Sequence, residues 1–379
     1  MRSYRNFETP ESNVRITDVI THNLSYQVKQ PYRNCCSEWI CERPATLIEV
    51  RADNGLVGWG EGGGAPSDEE IETHVIGKDP FDLEVIYDNL SRGGQKAAMA
   101  CGVEIALWDL MGKSLDKPVH ELLGGSRRDS VLAYASGFFE LQGVDHLQSV
   151  ADEARRCRDE GFRAVKMRIG FGPEQDEQIV ATVRQVMGDE VGLAGDVNLG
   201  YDVPTAIEVG HRLEAYDLLW YEEPIAADNL DGYCEIREAL KMRIAGAEGL
   251  SGVSSFREII QRRAVDIIQP DISRAGGFTE GGRICELAAA NQVLVIPHMF
   301  GTAVRLAATL HWLATIPEDT AELNPLPCYL ELDVTENGLR TDLSPTTFEL
   351  EDGLMTIPDR PGLGVEIDEE VLRRYSLNR

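Results

Sequence analysis

Apolar and polar residues alternate from Ile16 to Leu24, again from Thr46 to Ala52, and once more from Leu56 to Glu61. Strand side chains point to opposite faces in turn, so each run reads as a half-buried β-strand. Asp53-Asn54-Gly55 separates the second run from the third, and Asp/Asn-Gly between β-type runs is hairpin chemistry. The segment Tyr26 to Arg43, rich in aromatic and charged residues, follows neither period. It reads as an irregular stretch, either a plain surface loop or a flap over a site.

Helical text follows from Asp68 to Leu123, with Val103, Ile105, Ala106, Leu107, Leu110 and Met111 at roughly helical apolar spacing. Gly124-Gly125 is a plausible stop. After residue 130 the text becomes a repeat of short apolar strand, polar strand end and helix. The predicted strands are Val131–Ser136, Ala164–Ile169, Gly192–Asn198, Leu218–Glu222, Arg243–Glu248, Asp266–Asp271 and Val293–His298, with a shorter candidate near Ala321–Asn324. Each interval holds one strand plus one helix. Eight such units describe a closed parallel barrel better than an open doubly wound sheet. The expected organisation is an N-terminal α+β region at 1–130, a β/α barrel at 131–334, and a C-terminal segment, 335–379, which contains hairpin-like text at Phe348 to Ile357 and returns to the N-terminal domain.

Composition narrows the partners. The chain has 379 residues and a net charge of −28, which repels nucleic acid and anionic lipid at long range, so neither is expected as a partner. No apolar run approaches the roughly 20 residues of a membrane helix. The polar start, Met1 to Glu11, lacks the apolar stretch of a secretory signal, so a cytoplasmic location is expected. The eight cysteines show no CxxC pair and no zinc-like spacing with His, and read as reduced thiols.

In a parallel barrel the residues closing each strand converge on one rim, so strand ends are read together. Consecutive units contribute Asp196, Glu222 and Glu248, each 26 residues from the last. One such acid more often caps a helix or pairs with Arg. Three in register place carboxylates side by side, and hard oxygen ligands of this kind suit Mg²⁺. The unit before them ends in Lys166-Met167-Arg168, whose first and third side chains share a face. Two cations there either balance the carboxylates or hold a substrate carboxylate and a developing enolate. Farther round, Asp271 and His298 close the sixth and seventh units, each preceded by proline. A solitary histidine is more often structural. One at a catalytic rim beside a carboxylate makes a proton acceptor near neutral pH. Together, metal cage, cations and His–Asp pair suit removal of a proton α to a carboxylate.

These residues resemble the enolase superfamily, in particular its mandelate racemase subgroup of acid-sugar dehydratases, racemases and cycloisomerases. The resemblance covers nearly the whole chain. It runs through Gly58-Trp59-Gly60-Glu61, the stretch Val103 to Lys113 followed by Leu122-Leu123-Gly124, and Gly161 to Lys166. It continues through Glu222-Glu223-Pro224, Gln269-Pro270-Asp271, Gly276-Gly277, Ile296-Pro297-His298 and Pro361-Gly362-Leu363-Gly364. It implies a modified TIM barrel, (β/α)7β, capped by an α+β domain built from the N-terminal region and the C-terminal tail. Loops around Tyr26 to Trp39 and Gly62 to Pro66 would then choose the substrate.

The resemblance further implies that Asp196, Glu222 and Glu248 ligate Mg²⁺ and that His298, paired with Asp271, is one acid/base. Lys166 would contact the substrate carboxylate, Glu331 would be the rim acid of the same region, with Glu322 competing for that place, and Asn198 would border the substrate. The implied substrate is a sugar acid or its lactone, and the implied assembly a homo-oligomer from dimer to octamer. In one respect the chain departs from the pattern. Many members carry a second lysine where Arg168 stands, and arginine is a poor base at neutral pH. Two-base racemisation is therefore disfavoured against an elimination run by one histidine. The branch that uses a lysine at the sixth strand's end is disfavoured too, since no lysine follows Lys241. The expected reaction is dehydration of a sugar acid to a 2-keto-3-deoxy acid. Aldarolactone cycloisomerisation and epimerisation are its rivals, and a non-catalytic binding protein on the same fold is the alternative from another class.

Overall fold

In the computed structural model, which describes residues 14–91, 96–317 and 326–377, strands β1 (Ile16–Arg33) and β2 (Ile40–Ala52) form a long antiparallel ribbon. Its register runs from Ile16 opposite Ala52 to Tyr32 opposite Ile40. The ribbon corrects the expectation of an irregular stretch from Tyr26 to Arg43. Leu24, Val28 and Tyr32 bury one side of β1 at even spacing, a strand period that intervening charges conceal. Only the tip, residues 34–39, is a turn.

β3 (Val57–Gly62) adds to β2 after the turn at Gly55, whose φ is +83°. The predicted helical stretch divides into α1 (Asp68–His74), α2 (Leu83–Ser91), α3 (Lys96–Leu115) and the single turn α4 (Val119–Leu122). Ser67 and Glu70 form a reciprocal capping box at the start of α1. Helix α3 lies directly on β3 because β3 has glycine at the three positions that face it, Gly58, Gly60 and Gly62. A Cβ on Gly60 would stand 2.0 Å from the Gly102 carbonyl oxygen, and one on Gly58 2.1 Å from that of Ala106.

The barrel begins at β4 (Ser130–Ser136), followed by a two-residue strand, β5 (Glu140–Leu141), that pairs with the end of β1. Alternating units follow: α5 (His146–Asp159), β6 (Ala164–Arg168), α6 (Pro173–Met187), β7 (Gly192–Asp196), α7 (Val203–Leu213), β8 (Leu218–Glu222) and α8 (Leu230–Ala239). The second half comprises β9 (Ile244–Gly246), α9 (Gly252–Gln261), β10 (Ile267–Ile268), α10 (Ile272–Ala275), α11 (Gly277–Ala290), β11 (Leu294–Val295), α12 (Ala303–Thr315) and β12 (Leu330–Asp333). β12 pairs parallel with β4, so eight parallel strands run β12-β4-β6-β7-β8-β9-β10-β11. At the seam, Cys328 Sγ lies 3.4 Å from the Val295 carbonyl oxygen, and the Met299 amide donates to Glu331 across 3.0 Å.

Strand predictions ran too long at the rim, by one or two residues at β6 and β7 and most where Arg243–Glu248, Asp266–Asp271 and Val293–His298 shorten to β9, β10 and β11. Pro270 and Pro297 donate no ladder hydrogen bond, and Ala247 at φ +81° leaves the extended region. The candidate strand near Ala321–Asn324, with Glu322, lies outside the described residues. The strand beside β4 is β12, which carries Glu331.

Inside the barrel, Tyr134, Trp220 and Tyr329 interlock with the small side chains Ala164, Ala194 and Ala245 and with Ile267 and Ile296. Large residues on some strands fill the space left by small ones on others, which gives the polar rim a solid floor. The C-terminal segment divides between the two bodies. After α13 (Gly338–Thr341), the hairpin β13 (Leu350–Glu351) and β14 (Leu354–Thr356) pairs with barrel strand β4. The last helix, α14 (Glu369–Tyr375), does return to the cap, where the Leu377 amide donates to the Asn23 carbonyl across 2.8 Å. None of the eight cysteines, all of them among the described residues, is joined in a disulfide.

Candidate active site

Ladder register sets the rim. Arg168 is paired with Asp196, and Asp196 with Glu222, so one cation and two carboxylates close three neighbouring strands side by side. Lys166, two residues before Arg168, shares its face. The lysine is completely buried, with Nζ 2.5 Å from Glu222, 2.8 Å from Glu331 and 3.5 Å from Asp196. Burial alone would push its pKa down, but Glu222 and Glu331 hold it well above the ordinary range, so it stays an ammonium.

Just past the strand ends the backbone is strained. Asn198, Leu199, Glu223 and Ala247 adopt positive φ angles of 50°, 67°, 41° and 81°. Such residues cost of order 1–3 kcal/mol each unless the surroundings over-determine them, and they cluster where side chains must be aimed. The turn at Asn198 folds its own amide onto Asp196, 2.8 Å from backbone nitrogen to Oδ1 and 3.2 Å from Nδ2 to Oδ2. The guanidinium of Arg168 also pairs with Asp196 and lies 3.2 Å from Ser136 Oγ. It is stacked over Phe139, with its central carbon 4.6 Å from the ring centroid. Its pKa is raised above the ordinary value despite burial, because Asp196 and Glu331 face it. Arg168 is not a proton acceptor here.

On the other side of the rim, Asp271 Oδ2 lies 2.8 Å from His298 Nδ1. The other oxygen of Asp271 accepts from the Ser273 amide at 2.8 Å and its hydroxyl at 2.7 Å. Burial opposes ionisation of Asp271, but Arg305 and His298 hold its pKa far below the usual carboxylate range. An ionised carboxylate only accepts, so Nδ1 of His298 carries the hydrogen and Nε2 faces the site. Nε2 is 3.5 Å from Glu248 and 4.0 Å from Glu331. Burial would lower the histidine pKa, yet Glu248, Glu331 and the bond to Asp271 raise it to about 9. The carboxylate of Glu331 thus lies between His298 and Lys166.

All nine predicted residues come together at one barrel mouth. Sequence reading missed Trp220 and Gln269, which donate to Glu222 Oε2 at 2.7 Å each and aim that carboxylate. Their signal was spacing, since each lies two residues before a predicted rim acid and shares its face. It also missed Arg305 and Glu61, which no local spacing connects.

As they stand, no three His, Cys, Asp or Glu side chains among the described residues are gathered closely enough to hold a metal ion. Lys166 fills the space between Asp196 and Glu222. The donor set nevertheless fits a hard cation, because the rim is short of positive charge. Burial pushes Glu222 up to about 7 despite Lys166, with Asp196, Glu331 and Glu248 adding repulsion. Glu223 is pushed up to about 9 by burial and then by Glu248 and Asp196. One divalent ion would relieve both.

Residues 18–124 match the family described as mandelate racemase / muconate lactonizing enzyme, N-terminal domain, and residues 149–371 match the enolase C-terminal domain-like family. The chain belongs to the enolase superfamily, in its mandelate racemase subgroup. It is 36% identical over 376 residues to D-galactarolactone cycloisomerase of Agrobacterium fabrum, covering 96% of this chain and 99% of that one. Arabinonate dehydratase of Saccharolobus solfataricus is 31% identical over 379 residues, covering 95% and 99%. Among solved structures, L-talarate/galactarate dehydratase liganded with Mg and L-glucarate superposes with a TM-score of 0.84 at 28% identity, covering 99% of this chain and 95% of that one.

Proposed function

We propose that the protein is a Mg²⁺-dependent acid-sugar dehydratase, in which His298 removes the proton α to a substrate carboxylate and water then leaves from the β-carbon. The product is a 2-keto-3-deoxy acid. The observation that carries this reading is the His298–Asp271 pair, at 2.8 Å, facing the buried ammonium of Lys166 across one carboxylate.

Asp271 fixes the ring so that Nε2, once it has lost the proton that Glu248 and Glu331 favour, takes the α-proton, and His298 then returns that proton to the departing hydroxyl. The ammonium of Lys166 holds the substrate carboxylate and meets the negative charge that builds there. Glu331 orients that lysine, and Asn198 borders the sugar. Arg168, permanently charged, contributes field and hydrogen bonds but no base on the opposite face, which speaks against epimerisation. Asp196, Glu222 and Glu248 would hold Mg²⁺, which when bound supplies further positive charge for the enolate.

Cycloisomerisation of an aldarolactone is the second reading, favoured by the 36% identity to D-galactarolactone cycloisomerase over nearly all of that enzyme. It begins with the same proton and expels a ring oxygen instead of water. A screen of acid sugars and aldarolactones with Mg²⁺, read as keto acid by semicarbazide and as ring opening by NMR, separates the two. His298→Asn should abolish α-proton exchange in D₂O, and exchange retained in that variant would refute the assignment. A cytoplasmic homo-oligomer belongs to the same proposal; no described helix is long and apolar enough to cross a membrane.

A further inference from the structure

Among the buried charged residues outside the rim set, Glu61 and Arg305 lead directly to the carboxylate that holds His298. Glu61 closes β3 of the cap and is 1% exposed, and Arg305 lies in the first turn of α12 and is 8% exposed. Arg305 Nη2 is 2.6 Å from Glu61 Oε1, while Nη1 donates to Asp271 Oδ2 across 3.1 Å. That oxygen is the one that receives His298 Nδ1. The second oxygen of Glu61 accepts from the Thr302 amide at 3.0 Å and its hydroxyl at 2.6 Å. Thr302 in turn caps α12, its side chain accepting from the Val304 amide. One carboxylate of the cap therefore fixes both the helix start and the arginine upon it.

The space around this contact is shaped for it. A Cβ on Gly301 would stand 2.5 Å from Arg305 Nε and 2.7 Å from Glu61 Oε1, so only glycine leaves room for the pair. An arginine suits the position because its planar fork reaches two carboxylates in different directions, which a lysine ammonium on a flexible stem does less rigidly.

We propose that Glu61 and Arg305 are positioning residues for the reaction, a relay running from the cap through Arg305 and Asp271 to the ring of His298, so that seating of the capping domain sets the aim of the base. The relay rests on the reading of His298 as the base. Without Arg305, Asp271 Oδ2 would lose the donor that holds it against the histidine. Without Glu61, Arg305 would keep its partner in the barrel but lose its anchor in the cap.

The test is steady-state kinetics of the full-length protein with Mg²⁺, on whichever acid sugar or lactone the wild type turns over. Arg305→Met and Glu61→Gln should lower kcat by about 10- to 100-fold, the range found when a group that orients a functional side chain is removed. KM should stay within about two-fold, the pattern of an interaction made only in the transition state. Arg305→Lys should recover part of the loss. Gly301→Ala, which wedges the pair apart without removing a charge, should lower kcat in the same way. Glu104 of α3 forms a separate cap–barrel clamp, accepting from the Phe278 and Thr279 amides of α11 at 3.0 and 2.9 Å, and Glu104→Gln should lower the melting temperature without that fall in kcat.

Equal losses of kcat in Glu104→Gln, or a change confined to KM, would overturn the relay. Should Arg305→Met not fold, Glu61→Gln and Gly301→Ala carry the same comparison. A second readout needs no substrate: the Nδ1 proton of His298, seen by NMR of histidine-labelled protein, should exchange with water faster in Glu61→Gln than in wild type. If the wild type turns over no acid sugar or lactone, the dehydratase reading falls, and unchanged exchange would separately sink the relay.

Discussion

Replacing Asp109 by alanine probes how the cap is held to the rest of the chain. This fully buried carboxylate, in the middle of α3, accepts from the Trp59 amide in β3 at 2.8 Å and from the Leu363 amide near the C-terminus at 2.8 Å. Lys113, one turn on, lies 2.7 Å away. Trp59 is 8% exposed and Leu363 not at all, so alanine leaves two backbone N–H groups without a partner and without water. Each orphaned donor costs about 1–3 kcal/mol, giving about 4 kcal/mol for the pair. Lys113 is partly exposed, so its ammonium can turn to solvent at little cost. Against the 5–15 kcal/mol by which folded domains are stable, the loss is large. Urea unfolding followed by tryptophan fluorescence should show it, with Asp109→Asn losing about half because one carbonyl oxygen still accepts one amide. Lys113→Met should cost less than about 1 kcal/mol, as partly exposed ion pairs do. If Asp109→Ala and Lys113→Met lose equal stability, the carboxylate serves only as an ion partner and not as the acceptor of the two amides.

His311, buried on α12 with Nδ1 3.0 Å from His120 Nδ1, has its pKa lowered to about 3 by burial and then by His120. The folded value lies below the unfolded one, so its contribution to stability is full above about pH 6.5 and is lost as pH falls. Between pH 6 and 4 the wild type should lose up to about 1.4 kcal/mol per pH unit more than His311→Gln, and parallel profiles would refute this. Gly60→Ala should prevent soluble folding, since its Cβ would stand 2.0 Å from the Gly102 oxygen and 2.7 Å from the Ala106 nitrogen, closer than side-chain rearrangement can relieve. An unchanged melting temperature would contradict that close approach. Removing divalent metal with a chelator should abolish turnover, and Glu222→Gln should weaken Mg²⁺ binding measured by calorimetry; undiminished binding would remove Glu222 from the ligand set.

Much of the rim could be read from the text because a parallel barrel converts spacing into position. Asp196, Glu222 and Glu248 recur once per strand–helix unit, and the ladder register puts the first two side by side. Lys166 and Arg168 share a face by strand alternation alone. The glycine and acid motifs of the cap were equally visible, but not their work. Glu104 accepts from the Phe278 and Thr279 amides at the start of α11, and Asp109 holds a residue 254 positions away.

What the chain's own text determined is whatever local geometry governs: strand and helix periods, the hairpin at Gly55, and ionisable residues at most of the strand ends. Tertiary structure alone decided the length of the β1–β2 ribbon, the strand that completes the sheet beside β4, and the meeting of Glu61 with Arg305. Periodicity is enforced between near neighbours by backbone sterics and hydrogen bonding. A contact between residues 61 and 305 exists only once a helix face, a glycine-lined strand and a barrel rim have packed together. Nothing in the intervening chain has to record it.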